Sequence, residues 1–163
     1  NVEKAVLREA VLLQMTWNGA PTVYYGDEAG VTGWTDPDNR RTYPWGREDM
    51  ELIAFHKAAI SLRKEYPVLR HGSLKQLYGA YGVLAYGRFD EKEKILVALN
   101  NTEEIRTVSI PVWQMGVQTE GTLQNCLMTN RDGFTVFGFS YPVRNGNVLL
   151  SLPPKSAMAV REI

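Results

Sequence analysis

The texture of the chain changes at Pro67, and that change limits what it can fold into more than any other feature. Before it stand two long stretches with helical periodicity, separated by a short apolar run and a long irregular loop. After it come about eight short β-prone runs divided by turn-forming residues. A single regular architecture cannot absorb both halves.

Residues 2–17, VEKAVLREAVLLQMTW, predict a helix. Ala5, Val6, Leu7, Ala10, Val11, Leu13 and Trp17 cover more than one narrow stripe, so a broad face is expected to be buried. Asn18-Gly19 stops it, since glycine accepts a left-handed backbone past a helix end. Pro21 to Tyr25, closed by Gly26, lacks alternation and predicts a strand buried on both faces, as in a parallel sheet. Residues 47–65 predict a second helix, with Glu48, Asp49 and Glu51 at its start and Lys57, Arg63 and Lys64 toward its end. Leu52, Phe55, His56, Ala59, Ile60 and Leu62 form its buried side, which makes His56 a core histidine, and Tyr66-Pro67 ends it.

The runs that follow are Leu74–Tyr78, Val83–Phe89, Lys94–Asn100, Arg106–Pro111, Thr122–Met128, Phe134–Phe139, Val148–Leu152 and Ala157–Arg161. Their spacing predicts an antiparallel β-sandwich over about residues 68–163. His71 falls in a solvated turn, and Cys126 reads as a small buried hydrophobe. Asn100-Asn101-Thr102 matches a glycosylation sequon, a short pattern that carries little weight alone. No surface row of aromatics stands out in these strands, although Tyr78, Tyr81, Tyr86 and Trp113 leave a sugar-binding face open.

Composition narrows the function. With 18 Lys+Arg against 18 Asp+Glu the chain is formally neutral, which argues against nucleic acid as a partner because phosphate binding needs a basic face. No window of 18 apolar residues occurs, so no membrane partner is expected and the chain reads as soluble and globular. One cysteine excludes an internal disulfide, and two histidines leave little for a metal site. A start at Asn1 rather than Met leads to the expectation of a fragment or processed product, and no targeting segment indicates a location. At 163 residues the chain is short of the roughly 250 that a complete (β/α)8 barrel takes.

The chemistry concentrates in the loop from Asp27 to Gly46, DEAGVTGWTDPDNRRTYPWG. Acids and bases side by side, followed by aromatics, suit a sugar: carboxylates accept from hydroxyls, arginine donates through a planar fork, and rings stack on the apolar face. The same residues also fit a structural Asp–Arg network that pins a long loop, and both readings stand at this point. Asp36-x-Asp38 resembles the start of a calcium loop, but Arg40 and Arg41 occupy positions where an oxygen ligand and the turn glycine belong. Asp27 and Glu28 are adjacent and point apart if extended, so they are a poor pair for glycoside hydrolysis.

Taken together, GAPTVYYGDEAG, GWTDPDNRRTYPWG and a helix ending in SLRKEYPVLRHG resemble the end of the catalytic barrel in the α-amylase family of glycoside hydrolases. The likeness is strongest to its neopullulanase, cyclomaltodextrinase and maltogenic-amylase members and covers about residues 2–72. It implies a mixed fold, with the last β/α portion of a (β/α)8 barrel in residues 1–66 (seventh helix, eighth strand, eighth helix) and a C-terminal antiparallel β-sandwich in residues 67–163. The Asp27–Gly46 loop would then lie at the barrel face where active sites are built. By the family's DPxNR pattern, Asp36 and Arg40 are implied to bind a glucose unit, with Trp34, Tyr43 and Trp45 as weaker candidates for stacking.

The resemblance also says what to expect elsewhere. The family's nucleophilic Asp, general-acid Glu and third catalytic Asp come from earlier strands, so no catalytic residue is expected among these 163 and the isolated chain is expected to be inactive. The implied parent is a retaining hydrolase of α-glucans; the alternative is a stand-alone carbohydrate-binding or structural, dimerising β module. The implied partners are an α-glucan oligosaccharide and the remainder of the barrel, with no cofactor in this chain and calcium possible in the parent. Without that barrel the first 66 residues are expected to repack on the β domain, to self-associate through orphaned surfaces, or to lose order.

Overall fold

The computed structural model describes residues 3–163, so Asn1 and Val2, at the head of the first expected helix, lie outside the described residues. The two long helices form where periodicity placed them. Helix α1 spans Lys4–Thr16 and α2 spans Met50–Glu65, where the Asp49 side chain caps the first turn by accepting from the Leu52 amide. One further turn, α3 (Val68–His71), follows Pro67.

Nine strands follow: β1 (Ser73–Ala80), β2 (Val83–Phe89), β3 (Lys94–Asn100), β4 (Arg106–Ile110), β5 (Gly121–Asn130), β6 (Gly133–Thr135), β7 (Ser140–Arg144), β8 (Asn147–Leu152) and β9 (Ser156–Glu162). They make one antiparallel sheet in the order β1-β2-β3-β9-β5-β7-β8-β4, with β6 added on β5. The expected sandwich of two sheets is therefore corrected to a single sheet that curls into a nearly closed barrel. Curling lets Leu77, Ala85, Leu96, Ile110, Leu123, Leu150 and Met158, from six strands along the sheet and β4 at its edge, meet in one interior. Val112 and Met115, from the short helical turn after β4, complete it.

A second core lies outside the curl. Tyr86, Ile95, Val97, Leu99, Leu127 and Ala159 face Leu12, Met15, Phe55, Ala59, Leu62 and Leu69 of the helices. Each large side chain buried here contributes roughly 1.5–3 kcal/mol. Strands β3 and β9 thus have partners on both sides, which is why KILVALN is a continuous apolar run in an antiparallel sheet. Leu12, Met15, Phe55, Ala59 and Leu62 of the two helices are buried against the β domain, whereas Val6, Leu7 and Leu13 are half-buried and Ala10 is exposed.

Strand β5 serves both cores. Leu123 points into the barrel and Leu127 into the helical layer, although their spacing would put them on one face of a regular strand. The register against β9 shifts between Asn125 and Leu127, and the extra residue at the bulge turns the strand over.

Two local expectations fail. Pro21 to Tyr25 forms no strand, and Val23, Tyr24 and Tyr25 are exposed, because no neighbouring parallel strand among the described residues supplies hydrogen-bond partners. The expected strand Phe134–Phe139 shrinks to β6, and the longer strand is β7, where Pro142 masked the pattern. That strand turns into β8 through Asn145-Gly146, whose φ values of 49° and 74° give the left-handed pair a two-residue hairpin requires. His56 is buried, with Nδ1 2.9 Å from the Leu52 carbonyl, and His71 is exposed. Cys126, at the bulge, is half-buried rather than fully enclosed.

Candidate functional site

The Asp27–Gly46 segment leaves the helical layer at Gly26, whose φ of 90° permits the sharp exit. Its base is fastened twice: the Val31 amide donates to the Gly26 carbonyl at 2.9 Å, and the Asp49 amide donates to the Ala29 carbonyl at 3.0 Å. Beside it, Lys4, Leu7, Asp27, Val31 and Leu52 line a cavity of about 520 Å3. Burial and the adjacent Glu28 carboxylate raise the Asp27 carboxyl above its usual range.

The distal part of the loop is ordered from within. Trp34 donates its amide to Asp38 Oδ2 at 3.0 Å, and Asp38 and Arg40 donate theirs to the carbonyls of Thr35 and Pro37 at 2.8 and 3.0 Å. Arg40 then forms a forked pair with Asp36, Nε to Oδ1 at 3.0 Å and Nη2 to Oδ2 at 3.3 Å. The spacing of four residues brings these side chains to one side of a short helical turn, Asp38–Arg40. The two residues singled out from sequence are therefore in direct contact.

A second pair, Arg41 with Asp38, escaped the sequence reading. The Arg41 guanidinium holds the Asp38 carboxyl below its usual range, and the Arg41 carbonyl accepts from the Tyr25 hydroxyl at 3.0 Å. Two adjacent arginines answering acids four and three places earlier was the available signal. These charges do not fit a calcium ion, because both carboxylates of the Asp-x-Asp motif face arginines. Among the described residues no group of three or more His, Cys, Asp or Glu gathers as a metal site.

The aromatic candidates behave differently from one another. Trp34 and Trp45 are 85% and 81% exposed. Tyr43 lies against Trp45 with ring centroids 4.6 Å apart. The loop thus presents a forked acid–base pair and uncovered indole faces on a self-braced backbone. That combination can hydrogen-bond to hydroxyls and stack on an apolar ring face.

The chain is thus a nearly closed antiparallel sheet under two helices, with the braced loop leaving the helical layer. Residues 72–149 match the alpha-amylase C-terminal domain family, and the chain carries the C-terminal domain of the α-amylase family of enzymes, which includes amylopullulanases, cyclomaltodextrinases and neopullulanases. An amylopullulanase of Thermoanaerobacterium thermosulfurigenes is 34% identical across 93% of the chain, which spans 8% of that protein. Neopullulanase 2 of Thermoactinomyces vulgaris is 37% identical over 71% of the chain and 20% of its own length. Among solved structures, the alpha-amylase from Geobacillus thermoleovorans complexed with acarbose superposes with a TM-score of 0.84 at 26% identity, over 100% of this chain and 34% of that one. The chain therefore spans a small part of the curated relatives it matches, about a tenth of the amylopullulanases and a fifth of the neopullulanase.

Proposed function

We propose that the chain is the C-terminal portion of a retaining glycoside hydrolase acting on α-glucans, and that the Gly33–Trp45 loop supplies part of its sugar-binding surface. In this reading residues 1–66 close the catalytic barrel and residues 67–163 form the accessory β domain. Asp36 and Arg40 hold a glucose unit through its hydroxyls, and Trp34, Tyr43 and Trp45 offer stacking faces. The nucleophile, the general acid and any calcium ion belong to the rest of the parent.

The observation that carries this is the exposed Asp36–Arg40 fork on a loop with Trp34 and Trp45 uncovered. The acarbose complex of the Geobacillus thermoleovorans enzyme supports the ligand class. Asp36→Ala and Arg40→Ala in the parent enzyme should each lower kcat/KM on maltooligosaccharides by about tenfold or more, equivalent to about 1.4 kcal/mol of transition-state binding. The 163-residue chain alone should release no reducing sugar. Unchanged kinetics in both variants, or hydrolysis by the isolated chain, would overturn the proposal.

For the β domain by itself a structural role is the second reading. The outer face of β2, β3, β9 and β5 is covered by α1, α2 and α3, which makes it a support for the helices rather than a free binding face.

A further inference from the structure

We infer that the cleft between the C-terminal half of α2 and the β5–β9 ladder is a second carbohydrate-binding site, which takes one neutral sugar unit of an α-glucan. It holds about 250 Å3, the space of roughly eight waters at about 30 Å3 each and enough for a single ring. None of its lining residues belongs to the Gly33–Trp45 loop.

Its chemistry starts at the β5 bulge. Asn125 is 4% exposed and lines the cleft; its Nδ2 donates to the Phe137 carbonyl at 2.9 Å, but its Oδ1 has no partner. A buried amide oxygen left unpaired costs about 1–3 kcal/mol, which marks the bulge beside the cleft as a place where the chain is not optimised for stability alone. Beside it stand the Gln124 amide and the Arg161 guanidinium, which rests over the Tyr66 ring at 5.8 Å and donates through Nη2 to Gln124 Oε1 at a long 3.5 Å. Glu65 supplies a carboxylate at the helical wall.

Donors and acceptors therefore alternate around the cleft. An anion would be drawn to Arg161 but would meet the Glu65 carboxylate and the Asn125 oxygen, both of which repel it. A sugar hydroxyl donates and accepts at once and so suits the Arg161 guanidinium, the Gln124 amide and the Glu65 carboxylate together. Burial raises the Tyr66 hydroxyl and the Cys126 thiol above their usual ranges, so both stay neutral and add no competing charge. An apolar flank adjoins the polar wall: Val136 lines the cleft, and exposed Phe137 and Phe139 follow on the same segment, which is pinned to the Asn125 amide and side chain. Exposed phenyl rings beside hydroxyl-seeking groups suit the two faces of a pyranose.

The choice of an α-glucan rests on the reading proposed above, so the test separates the two sites. In the 163-residue chain carrying Asp36→Ala and Arg40→Ala, maltotriose is titrated while the side-chain amide resonances of Gln124 and Asn125 are followed. Saturable shifts at both amides, weakened about tenfold or more by Arg161→Ala and by Glu65→Ala with the thermal midpoint retained, are the expected result. Silent amides, shifts that survive both substitutions, or displacement of maltotriose by inorganic phosphate would overturn the site. Failure of the loop reading instead appears in the parent's kinetics and leaves these resonances untouched.

Discussion

Arg88 of β2 donates through Nη1 to the Thr16 carbonyl at 2.6 Å, fastening the barrel-like sheet to the last turn of α1. The same side chain reaches the carbonyls of Leu69 at 2.9 Å, Gly72 at 3.0 Å and Ser73 at 3.3 Å, and it is fully buried. Among the described residues no carboxylate answers it; the negative ends of α1 and α3 do. Replacing Arg88 with Met takes this donor from the Thr16 and Gly72 carbonyls, while the Leu69 carbonyl keeps Arg63 Nη1 at 2.9 Å, and should cost about 3 kcal/mol in denaturant unfolding. Lysine, with a point charge in place of a planar fork, should restore less than half of that. A Met variant within about 0.5 kcal/mol of the parent chain would show that the carbonyls find other donors.

Glu9 sets a pH dependence. It is 3% exposed; its Oε2 accepts from Asn101 Nδ2 at 2.8 Å, and its Oε1 is unpaired. Burial, opposed by the Asn101 hydrogen bond and Lys155, raises its pKa from 4.5 to about 7. The folded chain therefore binds this proton more tightly than the unfolded chain does. The resulting stabilisation is fully present below 4.5 and is lost as the pH rises through about 7. Stability at pH 8 should fall below that at pH 5 by on the order of 3 kcal/mol, and Glu9→Gln should flatten this slope. Parallel pH profiles for the two proteins would refute the assignment.

Asn100 is a structural residue despite its sequon. It is fully buried, and its Nδ2, with two protons to share, lies 2.8, 3.0 and 2.8 Å from the carbonyls of Glu104, Leu152 and Pro153. Its Oδ1 accepts from the Thr102 amide at 3.1 Å and the Thr102 hydroxyl at 2.7 Å. Asn100→Ala should cost about 3 kcal/mol, and expression in a glycosylating host should leave the mass of the folded chain unchanged. A glycan found at Asn100 on folded protein would contradict this placement.

The Asp36–Arg40 pair should behave in the opposite way. Both side chains are mostly exposed, so Asp36→Ala should shift unfolding by no more than about 0.5 kcal/mol. A midpoint that drops as far as in the Arg88 variant would mark the pair as a brace for the fold and weaken its assignment to sugar.

What the sequence made legible follows from how local each signal is. Helices α1 and α2 were readable because a broad apolar face and an Asp49 cap are properties of one segment. The contact of Asp36 with Arg40 was readable because four residues make one short turn. Curvature was not: the closing of one sheet in place of two depends on which strands become neighbours, and β4 pairs with β8 across some forty residues. The strand expected at Pro21–Tyr25 failed for a related reason, since its pattern describes a partner and not the segment itself. Pro142 hid β7, and the bulge at Cys126 hid the Asn125 cleft, because an alternating pattern gives no sign of where a strand turns over.

The sharing of β3 and β9 between two cores bears on how this protein can be cut and recombined. Ile95, Val97, Leu99, Ala157 and Ala159 form a party wall, so a border drawn near residue 66 divides the primary structure without dividing the cooperative unit. Excision of the β strands alone would strip that wall bare, and the product would be sticky rather than modular. A transplantable cassette has to keep α1 and α2, and any chimera that exchanges this domain between relatives must carry its two helices along.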